Sequence, residues 1–323
     1  MASKEILLDI IASIQSIPKE EIDPNKSYFE IGGNSINAAR ILVGLKKKGL
    51  KISMPDFLAA TSLNELADKV KVIGEKGVPA AAAAAPVVKP EPKAMDKFSK
   101  VYYETDKYAV VDLKECEDNA NGIEYMTHSF GVRDEMCVAL NPKYEDMYEA
   151  FKNCWPYTLG ANLSVGIVNK KSGKMVACQM NYNFATYDTD FDFGSTFPEC
   201  ILPVFYMIES VETPMKKETI EKHGGTWLFE FIFGTDKTLS HQENLELTNI
   251  ACAYAEPFAK AKGLKGIAIT DTNPVTCALD ELEHNYIKVK SIQMNQWEAE
   301  DGTKPFHKLP DYEVITALYK VVS

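Results

Sequence analysis

Near the amino terminus the apolar residues Ile6, Leu7, Ile10, Ile11, Ile14 and Ile17 recur every three or four positions, which predicts one amphipathic helix stopped at Pro18. A polar stretch from Lys19 to Tyr28 follows. A second stripe, Ile36, Ala39, Leu42 and Leu45, predicts a helix that opens at Ser35. The chain from Val78 to Met95 then reads VPAAAAAAPVVKPEPKAM. Its alanines offer almost no side chain to bury, and Pro79, Pro86, Pro90 and Pro92 block helix propagation, so an Ala/Pro-rich, semi-extended linker is predicted over 78–97.

Beyond Phe98 the period alternates between two and three to four. Strands are predicted over Tyr108–Asp112, Thr226–Phe233, Gly266–Thr270, Tyr286–Met294 and Tyr312–Val321. Leu163–Asn169 and Met175–Asn183 form a predicted hairpin around Lys170-Lys171-Ser172-Gly173. Helices are predicted over Asn121–Phe130, Tyr144–Cys154 and His241–Ala261, with a further one beginning at Asn273-Pro274, where proline suits a first turn. This is an α+β pattern: a small helical module over 1–77, the linker, and a mixed sheet with helices over 98–323.

Composition narrows the function classes. The 323 residues suit two domains, and 46% hydrophobic with 25% charged residues excludes a disordered chain. No apolar run of membrane-spanning length occurs, and the first residues lack the basic and apolar regions of a signal peptide. Seven cysteines, spaced singly, read as reduced thiols and no metal site, hence a cytoplasmic protein. The net charge of −11 argues against nucleic-acid binding. That charge is uneven: through Gly77 there are 11 Lys and Arg against 10 Asp and Glu, leaving 24 against 36 for the remainder.

Among catalytic signatures, G-x-S-x-G, the P-loop, G-x-G-x-x-G and H-E-x-x-H are all missing. That pattern is compatible with acyl transfer by positioning, without a protein nucleophile. One local feature carries chemistry: Gly32-Gly33-Asn34-Ser35 permits a sharp turn into a helix, whose amino terminus favours an anion. The plainer reading is that Ser35 or Asn34 is only an N-cap.

Residues 1 to about 75 resemble a peptidyl carrier protein of the nonribosomal peptide synthetase type, on Tyr28-Phe29-Glu30-Ile31-Gly32-Gly33-Asn34-Ser35-Ile36, Pro55-Asp56-Phe57-Leu58 and Thr61-Ser62-Leu63-Asn64-Glu65-Leu66-Ala67. The resemblance implies a four-helix fold with 4'-phosphopantetheine held covalently on Ser35, and a phosphopantetheinyl transferase as partner. Asn34 departs from the Asp or His usual before that serine. The element order of the second module resembles the GNAT acyltransferase fold. Phe130-Gly131-Val132-Arg133-Asp134-Glu135-Met136 and the hairpin are similar to segments of the insect arylalkylamine N-acetyltransferases. The two modules together resemble the carboxyl-terminal part of the insect β-alanyl-biogenic-amine synthetases, in which an adenylation domain absent from this chain would precede Met1.

These resemblances imply transfer of an aminoacyl group, β-alanine foremost, from a thioester on Ser35 to a small amine of the dopamine or histamine class. Glu135 would be the general base, through a water, its pKa raised by partial burial, and Asp134 a structural or amine-orienting carboxylate; the plainer reading of such a pair is a solvated surface turn. The alternatives are a coenzyme A-dependent arylalkylamine N-acetyltransferase and a non-catalytic GNAT-like module that docks the carrier. Where such enzymes carry a glycine-rich diphosphate loop, this chain has one glycine, Gly234, followed by Glu243 and Glu246, which predicts weak binding of free coenzyme A. Thr272, Thr276 and Tyr286 are candidates for protonating the leaving thiolate, or are caps and packing residues. Tyr187, Asp188 and Asp190 lie in an acidic, aromatic segment that suits a cationic ring, or a surface loop.

Overall fold

A computed structural model of the chain describes residues 2–33, 35–73 and 95–322. The predicted linker therefore lies outside the described residues up to position 94, as does Asn34. The chain divides into two compact units, Met1–Glu91 and Pro92–Ser323.

In the first unit the leading stripe becomes α1 (Ala2–Gln15) and the second becomes α2 (Ser35–Lys47). Leu7 and Ile11 of α1 meet Ile41, Leu42 and Leu45 of α2 in a core with no or almost no exposure. A short strand β1 (Leu50–Lys51), α3 (Met54–Ala59), α4 (Leu63–Lys69) and β2 (Lys71–Val72) follow. Ser53 and Ser62 cap α3 and α4 by accepting the amide hydrogens of Asp56 and Glu65. The long polar loop is pinned to α4 by Leu63 N–H to the Lys26 carbonyl (2.8 Å) and Asn64 N–H to that of Pro24 (3.0 Å). The β1–β2 ladder was not predicted, because two-residue strands carry no period.

The second unit is built on an eight-stranded sheet. Its elements are β3 (Val101–Glu104), β4 (Tyr108–Asp112), α5 (Asn121–Met126), α6 (Glu135–Leu140), α7 (Tyr144–Gly160), β5 (Val165–Asn169), β6 (Met175–Asn183), α8 (Tyr187–Asp190), α9 (Phe193–Thr196), α10 (Leu202–Lys216), β7 (Trp227–Thr235), α11 (His241–Lys262), β8 (Gly266–Asp271), α12 (Pro274–Leu282), β9 (Ile287–Gln293) and β10 (Val314–Val321). The strand order is β3-β4-β5-β6-β7-β8-β10-β9. Every neighbouring pair is antiparallel except β7 and β8, which are parallel and are joined by the α11 crossover.

One face of the sheet is covered by α5, α7 and α10, with Trp155, Phe229 and Met207 in the core; α11 covers the other with Ile250, Tyr254 and Phe258. Gly266 lets β8 pass under the indole of Trp227, since a Cβ there would come within 2.2 Å of the ring. The structure differs from expectation in four places. The helix predicted over Asn121–Phe130 ends at Met126 and continues as a π-helical turn, Thr127–Arg133. The helix from Tyr144 continues to Gly160 through Pro156, the long helix α10 was not foreseen, and β3 is additional.

Candidate functional site

In the carrier-like unit, Gly32 has φ +88°, a left-handed conformation that glycine adopts without strain. Gly33 lies against Tyr28 so closely that a Cβ would come within 2.4 Å of its ring and 2.5 Å of its carbonyl oxygen. The turn is held by Gly32 N–H to the Phe29 carbonyl and Gly33 N–H to that of Tyr28, both 3.0 Å. Tyr28 in turn packs edge-on against Phe57 of α3, with ring centroids 5.0 Å apart. The two glycines thus bring the chain tightly around a buried tyrosine and deliver Ser35 as the first residue of a 13-residue helix. A serine in that place fits attachment of a phosphodiester-linked arm, whose phosphate would stand beside free helix amides.

In the second unit the topology creates an opening. β7 pairs with β8 only from Trp227↔Gly266 to Glu230↔Ile269, while β7 stays paired to β6 as far as Thr235. The parallel strands therefore part beyond Glu230. Open α/β sheets bind ligands at the carboxyl ends of their parallel strands.

The Asp134-Glu135 motif comes to that same end. The π-helical turn leads the chain into Asp134, which caps α6 by accepting the amide hydrogens of Met136 (3.0 Å) and Cys137 (3.4 Å) on Oδ1. Its Oδ2 accepts the Thr272 hydroxyl at 2.7 Å, just past the end of β8. Part of Asp134 reaches solvent, yet its carboxylate is densely surrounded: desolvation raises its pKa, opposed by those hydrogen bonds. Glu135 is exposed. The partial burial expected for it is therefore not found.

A third carboxylate, missed in the sequence, joins them. Glu313 stands just before β10, which runs antiparallel to β8, and is only 2% exposed. Burial, then the charges of Glu135 and Asp134, push its pKa up to about 7. A signal was present: Glu313 is in phase with Ile315, Ala317 and Tyr319, the residues of β10 that face the core.

The floor beside the opening is aromatic. Tyr187 lies within 4.7 Å of Phe229, 6.0 Å of Phe231 and 6.1 Å of Phe193, ring centroid to centroid. Its hydroxyl donates to Glu212 of α10, which also accepts from Thr270 Oγ1 at 3.0 Å. Burial lifts the Glu212 pKa to about 7 against the lowering effect of those bonds. Tyr187 is thus part of the interior. Asp188 and Asp190 are exposed; Asp188 pairs with Lys216, and Asp190 accepts from Thr186 Oγ1 at 2.6 Å. The three residues of that segment are therefore not brought to one site.

On the opposite face Glu230, Asp271 and Asp280 are 3%, 4% and 0% exposed, and burial raises the pKa of all three. Tyr286 donates to Glu230 at 3.1 Å, whereas Asp271 and Cys252 lie beside Asp280 without the geometry of a hydrogen bond. Thr276 bonds the Asn273 carbonyl at 3.3 Å as a cap. Of the three thiolate-acid candidates, only Thr272 stands at the acidic corner. Among the described residues no cluster suits a metal ion.

The segment after Gly234 has its own structure. Ser240 and Glu243 form a capping box at the start of α11: Glu243 Oε2 accepts the Ser240 amide at 2.9 Å and Ser240 Oγ accepts the Glu243 amide at 3.2 Å. Glu246 pairs with Lys107 at 2.9 Å. A carboxylate of the chain itself thus already accepts the Ser240 amide at the start of α11.

Comparison with known proteins bears on both units. Residues 5–70 match the phosphopantetheine attachment site family. The chain is 24% identical over 301 residues, 93% of its length, to the β-alanyl-bioamine nonribosomal peptide synthetase Ebony of Drosophila melanogaster. The solved C-terminal condensation domain of Ebony, in complex with β-alanyl-dopamine, superposes with a TM-score of 0.58 at 22% identity, covering 67% of this chain and 99% of that one. The second unit has the fold of Ebony's condensation domain. An arylalkylamine N-acetyltransferase 7 of Aedes aegypti shares it with a TM-score of 0.54 at 16% identity, covering 69% of this chain and 95% of that one. The first unit alone is 38% identical over 65 residues, 20% of this chain and 4% of the relative, to nonribosomal peptide synthetase 6 of Alternaria brassicicola. The chain thus has an amino-terminal unit that matches a phosphopantetheine attachment site, followed in sequence by a unit with a GNAT-like mixed sheet. A carrier implies a phosphopantetheinyl transferase. The chain spans about a third of Ebony's length. Among the described residues no helix is long and apolar enough to cross a membrane.

Proposed function

We propose that this chain forms an amide by moving an aminoacyl group, β-alanine foremost, from a thioester carried on Ser35 to a small amine of the dopamine or histamine class. The observation that supports this most is that one alignment to Ebony runs through 93% of the chain, carrier and acyltransferase-like unit alike. An adenylation domain elsewhere would charge the arm, and the unpaired cysteines suit a cytoplasmic setting.

The arm supplies a thiol that holds the acyl group in activated form. The protein's part is positional and electrostatic. Past Glu230, β7 has no β8 partner, so a backbone N–H on that edge polarises a carbonyl laid in the opening, short of Thr235, whose N–H donates to Ser129 Oγ at 3.2 Å. Asp134, locked by Thr272 and two amides, orients the amine. Glu135, being exposed, acts on protons only through water. Of the hydroxyls considered for the leaving thiolate, Thr272 alone stands at this corner, where it donates to Asp134. The aromatic floor around Tyr187 suits an aryl ring better than the exposed Asp188 and Asp190 suit its ammonium group.

The direct experiment loads Ser35 with a β-alanyl arm using a phosphopantetheinyl transferase, adds dopamine or histamine, and follows protein and product by mass. Loss of the acyl mass with appearance of the amide supports the reading. Turnover of acetyl-coenzyme A without the arm would favour an acetyltransferase instead.

A further inference from the structure

The corner at the ends of β8 and β10 holds three carboxylates, and they are not equivalent. This inference rests on the amide-forming reading above and deepens it. Asp134 has both oxygens engaged: Oδ1 by the Met136 and Cys137 amides, Oδ2 by Thr272. Glu135 is exposed to solvent. Glu313 differs from both. It is 2% exposed, its side chain has no hydrogen-bond partner among the described residues, and no cation pairs with it.

The position of Glu313 is firmly built. Its N–H donates to the Pro310 carbonyl and its own carbonyl accepts from Met294 N–H, both at 3.0 Å. The preceding turn is braced by Asn295 Nδ2 to the Leu309 carbonyl (3.1 Å) and to Asp311 Oδ1 (2.7 Å), and by Gln293 Nε2 to the Asp311 carbonyl (3.0 Å). A fixed carboxylate with no protein partner, whose oxygens keep only a trace of solvent contact, is placed to exchange a proton with a small molecule laid against it. Strand phase aims it to the α10 side of the sheet, the side of the aromatic floor.

We propose that Glu313 is the catalytic base of amide formation. The acceptor ammonium gives one proton to the Glu313 carboxylate, leaving a neutral amine and a carboxylic acid. The nitrogen lone pair attacks the thioester carbon; a C–N bond forms, the C–S bond breaks, and the departing thiolate takes the second nitrogen proton. Glu313 then returns its proton to solvent by way of exposed Glu135. The neighbouring negative charges of Glu135 and Asp134 favour a proton on Glu313, in keeping with its pKa near 7.

Two measurements test this. In the protein without its arm, carboxyl infrared titration should show a group with a midpoint near 7 that vanishes in Glu313→Gln; a difference titrating in the ordinary carboxylate range overturns the proposal. In single turnover from the loaded arm, Glu313→Gln should slow transfer ~10²–10⁴-fold and flatten the rise of rate with pH, with Ser35 loading unchanged and Glu313→Asp recovering part of the rate. Circular dichroism checks the fold of each variant. Wild-type transfer by Glu313→Gln overturns the role of Glu313 alone. No amide from loaded wild-type protein overturns the transfer reading, and that role with it.

Discussion

Thr272 and Asp134, 138 residues apart in sequence, are joined by a 2.7 Å hydrogen bond from the threonine hydroxyl to the carboxylate. That bond ties the end of the central parallel strand to the cap of α6 and so fixes the acidic corner at the opening of the sheet. Thr272→Val keeps the side-chain shape and removes the donor. It should lower stability by about 1.5–3 kcal/mol, the range for a hydrogen bond to a charged group. It should also slow amide formation more than it affects arm loading. Urea unfolding beside single-turnover rates separates the two effects.

Carrier identity makes a prediction that does not depend on the second unit. Incubation with a phosphopantetheinyl transferase and coenzyme A should add one phosphopantetheine mass, on the peptide that contains Ser35. Ser35→Ala should gain none. Equal labelling of that variant would place the attachment elsewhere.

Free acetyl-coenzyme A should bind poorly. The Ser240 amide at the start of α11 is already bonded to the chain's own Glu243 carboxylate, and Gly234 is the one glycine of that segment. Losing several charge-assisted contacts worth ~1–3 kcal/mol each takes the dissociation constant above ~100 µM. Calorimetric titration checks this, and tight saturable binding would contradict it.

Glu212 predicts an unusual pH dependence of stability. Its folded pKa, about 7, lies above the 4.5 of an unperturbed glutamate, so between those values the folded state holds more protons than the unfolded one. Stability contributed by this group is therefore full below about 4.5 and is lost as pH rises toward 7, by up to roughly 3 kcal/mol at 1.36 kcal/mol per unit. Glu212→Gln should remove this group's share of the slope and leave the shares of Glu230, Asp271, Asp280 and Glu313. Trp155, Trp227 and Trp297 all lie in the second unit, so urea unfolding followed by tryptophan fluorescence reports on that unit at each pH.

Much of the fold was legible because its elements are periodic. The strand Tyr108–Asp112 and the start of α12 at Pro274 are found where the alternation and the proline placed them. The helix α10 was hidden by the aromatic-acidic segment before it and by Pro203 and Pro214 within it. Ser35 and Asp134 were visible as local motifs. Glu313, Glu212 and Glu230 did not stand out, because the meaning of each depends on burial, although the strand phase of Glu313 points to the core face. Glu135 was legible as part of a motif, but its exposure depends on how the π-helical turn delivers it to α6.

The central claim is that the acyl group is presented to the amine by the chain's own carrier. The measurement is single-turnover amide formation with the β-alanyl arm on Ser35, run beside Ser35→Ala supplied with acetyl-coenzyme A. The account predicts that the acyl mass leaves the loaded protein as an amide when amine is added, and that Ser35→Ala forms none. An arm that stays acylated while Ser35→Ala acetylates dopamine or tryptamine at the wild-type rate would contradict it.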